Sequence, residues 1–159
     1  MQAVRVLPSL RQRLPATAAI LEAAGLVVHP AVHKVVLSGS RGLRGGFRPD
    51  SDVDLSLLVD RGFLDTASDQ AAALREILET TLRAWRGPVA LDTIAVFDER
   101  GCGLSCFDCE TGAERRCGER GIDCMGLFKI QKGFDGYVRG VGVVIERVYP
   151  MIAVYERAR

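Results

Sequence analysis

An amphipathic helix set between two aliphatic runs is the feature that most limits how this chain can fold. Between Ala67 and Trp85, the residues Ala71, Leu74, Ile77, Leu78, Leu82 and Trp85 fall on one side of a helix, and Gly87-Pro88 stops it. Val53 to Val59 and Val89 to Phe97 flank that helix and read as strands with aliphatic side chains on both faces. A shorter β-branched run, His33 to Leu37, enters a tight loop at Ser38-Gly39-Ser40. Arg41 to Ser51 holds Gly42, Gly45, Gly46 and Pro49 and reads as loop. Upstream, Pro8 to Gly25 reads as helical, with Leu14, Ala18, Leu21 and Ala24 as its apolar stripe and Pro15 suited to a first turn. The order helix, strand, loop, strand, helix, strand predicts a mixed α/β or α+β domain. Our choice is α+β, a small mixed β-sheet with flanking helices.

Length and composition set the outer limits. A chain of 159 residues, 48% hydrophobic, can bury a core as one domain without disulfides and is too apolar to be disordered. No window approaches the ~18–20 uninterrupted apolar residues of a membrane span. Arg5, Arg11 and Arg13 break up the only stretch where a signal core would sit. The expectation is a soluble cytoplasmic protein with no membrane partner. Its core is expected over residues 1–99, and a Cys/Gly-rich extension over residues 100–159 is expected to complete the same domain. Leu127 to Gln131 and Val143 to Val154 carry strand-like apolar content within that extension.

Charge is unevenly placed although the net is only +1. Residues 1–50 carry seven basic and two acidic side chains; residues 51–99 carry four basic and ten acidic. A basic stretch running into an acidic one suits a site where cations bridge an anion to carboxylates. Asp52 and Asp54 stand two apart at the start of a strand, so both point to one face about 6.5–7 Å apart. Unpaired, two such carboxylates repel; with hard cations they converge on the spacing of a two-metal phosphoryl-transfer site. Asp92 interrupts the third aliphatic run, where an unpartnered carboxylate is expensive, and offers a third ligand. Gly39 and Ser40 supply the opposite half: a turn that presents N–H groups, and a hydroxyl, to an anion. Arg41, Arg44 and Arg48 are either charge-assisted partners for a triphosphate or solvated loop charges.

Taken together, Gly39-Ser40-Arg41, then Arg48-Pro49-Asp50-Ser51-Asp52-Val53-Asp54-Leu55, then Asp92 on a later strand, resemble the minimal nucleotidyltransferase domain of the DNA polymerase beta superfamily. The resemblance covers roughly residues 33–97. It implies the nucleotidyltransferase fold, an NTP as substrate, and two Mg²⁺ ions held by Asp52, Asp54 and Asp92. Gly39, Ser40, Arg41 and Arg44 become the implied nucleotide-binding residues. The implied reaction moves a nucleoside monophosphate to an acceptor hydroxyl on a small molecule, protein or RNA end. Small members of the family also serve as non-catalytic antitoxins bound to a helical HEPN-type toxin, which is the alternative reading.

The extension carries all five cysteines. Cys106 and Cys109 form a C-x₂-C pair, and Cys117 and Cys124 follow, so four thiolates within nineteen residues offer a structural zinc site. The gaps are shorter than those of common two-knuckle sites, which leaves free or redox-active thiols, and a metal- or redox-responsive module, as the competing reading. Cys102 lies four residues ahead of the pair, a substitute ligand or a free thiol.

Overall fold

The structure, a computed structural model, describes residues 1–111, 113–114, 124–139, 147–148 and 150–158. Its elements run β1 (Gln2–Ala3), α1 (Pro8–Arg13), α2 (Pro15–Ala23), β2 (Val27–Val28), β3 (Val32–Ser38), β4 (Val53–Val59), α3 (Arg61–Thr66), α4 (Gln70–Ala84) and β5 (Leu91–Asp98). A single 3₁₀ turn over Ser105–Asp108 precedes β6 (Ala113–Glu114), β7 (Met125–Lys129), β8 (Gly136–Tyr137), β9 (Arg147–Val148) and β10 (Ile152–Glu156).

A mixed sheet of six strands, in the order β10-β3-β4-β5-β7-β8, organises the fold. Only β4 and β5 are parallel, and the crossover between them carries α3 and α4. The other neighbours in this sheet are antiparallel. The fold is therefore α+β with a mixed sheet, and three of its six strands come from beyond residue 99.

Local sequence explains most boundaries. Pro15 lacks an N–H and steers the residue before it out of helical space. The helical stretch accordingly breaks at Leu14 (φ −135°) into α1 and α2. Asp69 caps α4, its carboxylate accepting the Ala72 N–H at 3.0 Å. Trp85 ends α4 half-buried, its indole N–H donating to the Val89 carbonyl at 2.9 Å. The expected long helix from Ala67 thus begins three residues later. The separate short α3 ahead of it went unforeseen because Leu64 is its only buried side chain.

Two apolar clusters sandwich the sheet. Odd-numbered residues of β4 and β5 (Leu55, Leu57, Ala95, Phe97) join Leu21 of α2 and Leu74, Ile77 and Leu78 of α4 in the larger one. Even-numbered residues (Leu58, Val96), with Val36, face away and pack under Leu104 and Phe107 from the cysteine-bearing segment. Residues 100–111, the start of the Cys/Gly-rich extension, therefore also pack: Leu104 and Phe107 cover the second face. Of the strand expected over residues 143–154, β9 and β10 are described; residues 140–146 and 149 lie outside the described residues.

Candidate functional site

The loop from Gly39 to Ser51 is fixed before any charged group is placed. Thr17 of α2, buried, donates its hydroxyl to the Arg41 carbonyl at 2.7 Å. Arg41 is only 4% exposed. Its guanidinium donates to the carbonyls of Ser51 (2.7 Å), Arg48 (3.2 Å) and Pro49 (3.2 Å) and lies 4.7 Å from the centre of the Phe47 ring. A guanidinium has five N–H donors in a planar fork, which suits it to gathering several carbonyls at once. Arg41, named from the sequence as either a phosphate contact or a loop charge, has its guanidinium turned under its own loop, where it pins the segment that delivers Asp52 and Asp54. Arg44 is exposed on the same loop, and Ser40 is half-buried in the turn after β3.

Gly39 is required by its neighbour. Its φ is +74°, and a Cβ built there would lie 2.0 Å from Asp54 Oδ2. The backbone of the turn and the carboxylate share one space, which only glycine leaves open. Asp54 sits in β4 between two register partners, Ser38 on β3 and Asp92 on β5. Parallel pairing thus sets two carboxylates side by side across the strands.

The consequence is electrostatic. Burial, then the negative charge of Asp92, pushes the Asp54 carboxyl up to about 6, against the pull of Lys132. Asp92 moves the other way. Burial alone would raise it, but Lys129 and Lys132 bind its carboxylate and hold it below the usual carboxylate range. Lys132 Nζ bridges two acids, 2.9 Å from Asp52 Oδ2 and 3.0 Å from Asp92 Oδ2, while Lys129 pairs with Asp92 Oδ1. Gln131, between the lysines, donates to the Leu91 carbonyl (2.9 Å) and accepts the Thr93 N–H (3.0 Å).

Asp52, Asp54 and Asp92 are therefore brought to one end of one sheet face, close to Gly39, as the sequence suggested. Lys129, Gln131 and Lys132 were missed. They lie about 80 positions from Asp52 in a tail without a recognisable motif, and the only signal was arithmetic: a ten-acid segment needs cations from elsewhere. Among the described residues, no three His, Cys, Asp or Glu side chains stand arranged as a ready metal site. The acids still fit hard cations by two observations: their donors are all carboxylate oxygens, and an ammonium already stands in as the cation between Asp52 and Asp92.

Four of the five cysteines are described. Cys106 and Cys124 pack at the edge of the second apolar cluster, Cys109 is half-buried and Cys102 is exposed. None of these four is joined to another in a disulfide. Cys117 lies outside the described residues. Among the described residues, no helix is long and apolar enough to cross a membrane. The chain matches no family model, no curated protein and no solved structure.

Proposed function

We propose that this chain is a Mg²⁺-dependent nucleotidyltransferase with a nucleotidyltransferase fold, moving a nucleoside monophosphate from an NTP to an acceptor hydroxyl. One observation carries the reading: Asp54 and Asp92 are register partners on parallel strands, and the glycine turn after β3 lies so close that a side chain at Gly39 would strike Asp54. A structural fold has no use for two adjacent, partly buried carboxylates packed against a glycine turn. A site that joins a polyanion to metal cations does.

Asp52, Asp54 and Asp92 would hold two magnesium ions, which when bound lower the pKa of the acceptor hydroxyl and neutralise the departing pyrophosphate. The Gly39-Ser40 turn offers N–H groups and a hydroxyl to the phosphates, and Arg44 lies on the same loop. Arg41 is a positioning residue: it fixes the loop from beneath. The acceptor oxygen forms its bond to the α-phosphorus as the bond to pyrophosphate breaks. The proton is taken by Asp92 or by water, and the base need not be strong once the hydroxyl is acidified.

Incubation with each labelled NTP and Mg²⁺ or Mn²⁺ tests this. Pyrophosphate and a labelled product are expected, and Asp54→Asn is expected to abolish both. A second reading is favoured by the lysine pairs if they are permanent: a non-catalytic nucleotidyltransferase-fold protein whose partner is a HEPN-type toxin. A stable complex with such a partner, and no pyrophosphate with any NTP, would select it. Zinc at the cysteines belongs to a separate proposal, tested by elemental analysis of protein purified without added metal.

A further inference from the structure

We infer that Lys132 is an exchangeable internal counter-ion that makes divalent-metal binding conditional on nucleotide. The inference rests on the nucleotidyltransferase reading and concerns the regulation of that same site. One ammonium reaches carboxylate oxygens of both Asp52 and Asp92, 2.9 and 3.0 Å away, so it occupies the position between acids that a divalent cation would need. The lysine is nevertheless loosely held in other respects. Its side chain is 55% exposed, and it stands at the tip of the turn between β7 and β8, where Lys132 (φ +54°) and Gly133 (φ +84°) are both left-handed.

Lys129 differs in these respects. It lies on β7 with its side chain 12% exposed, pairs with Asp92 Oδ1 and approaches the Thr93 carbonyl at 3.5 Å. One lysine is built into the sheet; the other sits on a turn from which it can withdraw. A metal arriving alone must break both Lys132 ion pairs and leave an ammonium beside a new dication. A metal arriving with a triphosphate brings an anion for the displaced ammonium to face. Metal and nucleotide should therefore bind with positive coupling, and Lys132 should be the source of that coupling.

The test uses the full chain and Mn²⁺ as probe, read by the paramagnetic resonance of the free ion. It is run alone and with each of four α,β-methylene nucleoside triphosphates. Lys132→Asn suits the left-handed backbone, and Lys132→Gly is the second variant should the first perturb folding, which circular dichroism will report. Wild type is expected to bind Mn²⁺ weakly alone and at least about tenfold more tightly with one analogue. Lys132→Asn should bind Mn²⁺ alone about tenfold more tightly than wild type and lose most of the coupling, while Lys132→Arg keeps it. If wild type binds metal and analogue together but Lys132→Asn leaves the affinity for Mn²⁺ alone unchanged, the counter-ion role is overturned and the functional reading stands. If neither wild type nor variant binds Mn²⁺ under any condition, both fall.

Discussion

The two ends of one sheet face have opposite characters. Along the even-numbered positions, β4 reads Asp54, Ser56, Leu58 and β5 reads Asp92, Ile94, Val96. The aliphatic end is covered by Leu104 and Phe107; the acidic end is left to Gly39, Lys129 and Lys132. The same strands therefore build core and site, and the boundary falls where the cysteine-bearing segment stops. Lys34 closes the far, aliphatic end from β3, opposite Leu58, its ammonium paired with Asp108 of the covering segment and, at 3.2 Å, with Glu156 of β10. Among the described residues, the apolar cover over Leu58 and Val96 does not extend to Asp54 and Asp92.

Substitutions can break that contrast. Phe107→Ala opens a cavity under the covering segment and is expected to cost about 3–4 kcal/mol in denaturant unfolding. Hydrogen exchange should then rise over residues 104–109 and stay unchanged at Asp52–Asp54. Equal loosening at both ends would show that the two halves of the face are one cooperative unit. Arg41→Met strips three carbonyls of a buried, charged donor and is expected to cost about 2–3 kcal/mol. Its damage should centre on residues 48–51, the reverse of the Phe107 pattern.

Asp54→Asn should move stability the other way. The native carboxyl titrates near 6 against an ordinary 3.8, so the folded state holds its proton more tightly than the unfolded chain. That contribution is complete below about pH 4 and is lost as pH rises to about 6. Asn removes the loss, so the variant is expected to be more stable by about 1–2 kcal/mol at pH 7, after allowance for solvent screening, and no more stable at pH 4. Thermal melts across that range check it, and a variant that melts lower at pH 7 would make Asp54 a structural acid. The smallest effect belongs to the far end of the covered face: Lys34→Met should cost no more than about 1 kcal/mol, with its exchange signature confined to residues 104–109 and β10.

What the sequence made legible follows from how locally each feature is encoded. Val53–Val59 was drawn to the residue, because a run of aliphatics bounded by a polar loop has few other uses. The three acids were legible for the converse reason, since carboxylates inside such runs need a partner. Arg41 was not, because nothing local distinguishes a loop arginine that reaches outward from one that folds beneath its own loop. Lys129 and Lys132 were invisible in principle: their meaning comes from antiparallel pairing of β7 with β5, a contact between distant segments. Phe107 was hidden among cysteines and glycines, which drew the eye to metal chemistry rather than to packing.

Gln131 carries the β5 edge on past the point where main-chain pairing with β7 stops. The ladder between β5 and β7 runs from Asp98↔Met125 to Ala95↔Phe128. Beside Leu91 and Thr93 a side-chain amide substitutes for main chain, donating to one carbonyl and accepting from one N–H. One side-chain hook thus continues a ladder whose main-chain teeth have ended. A hook of that kind can be changed without re-registering a strand. Removing it would strip the Leu91 carbonyl and the Thr93 N–H of that partner on either side of Asp92, while the main-chain ladder from Ala95 to Asp98 stays paired.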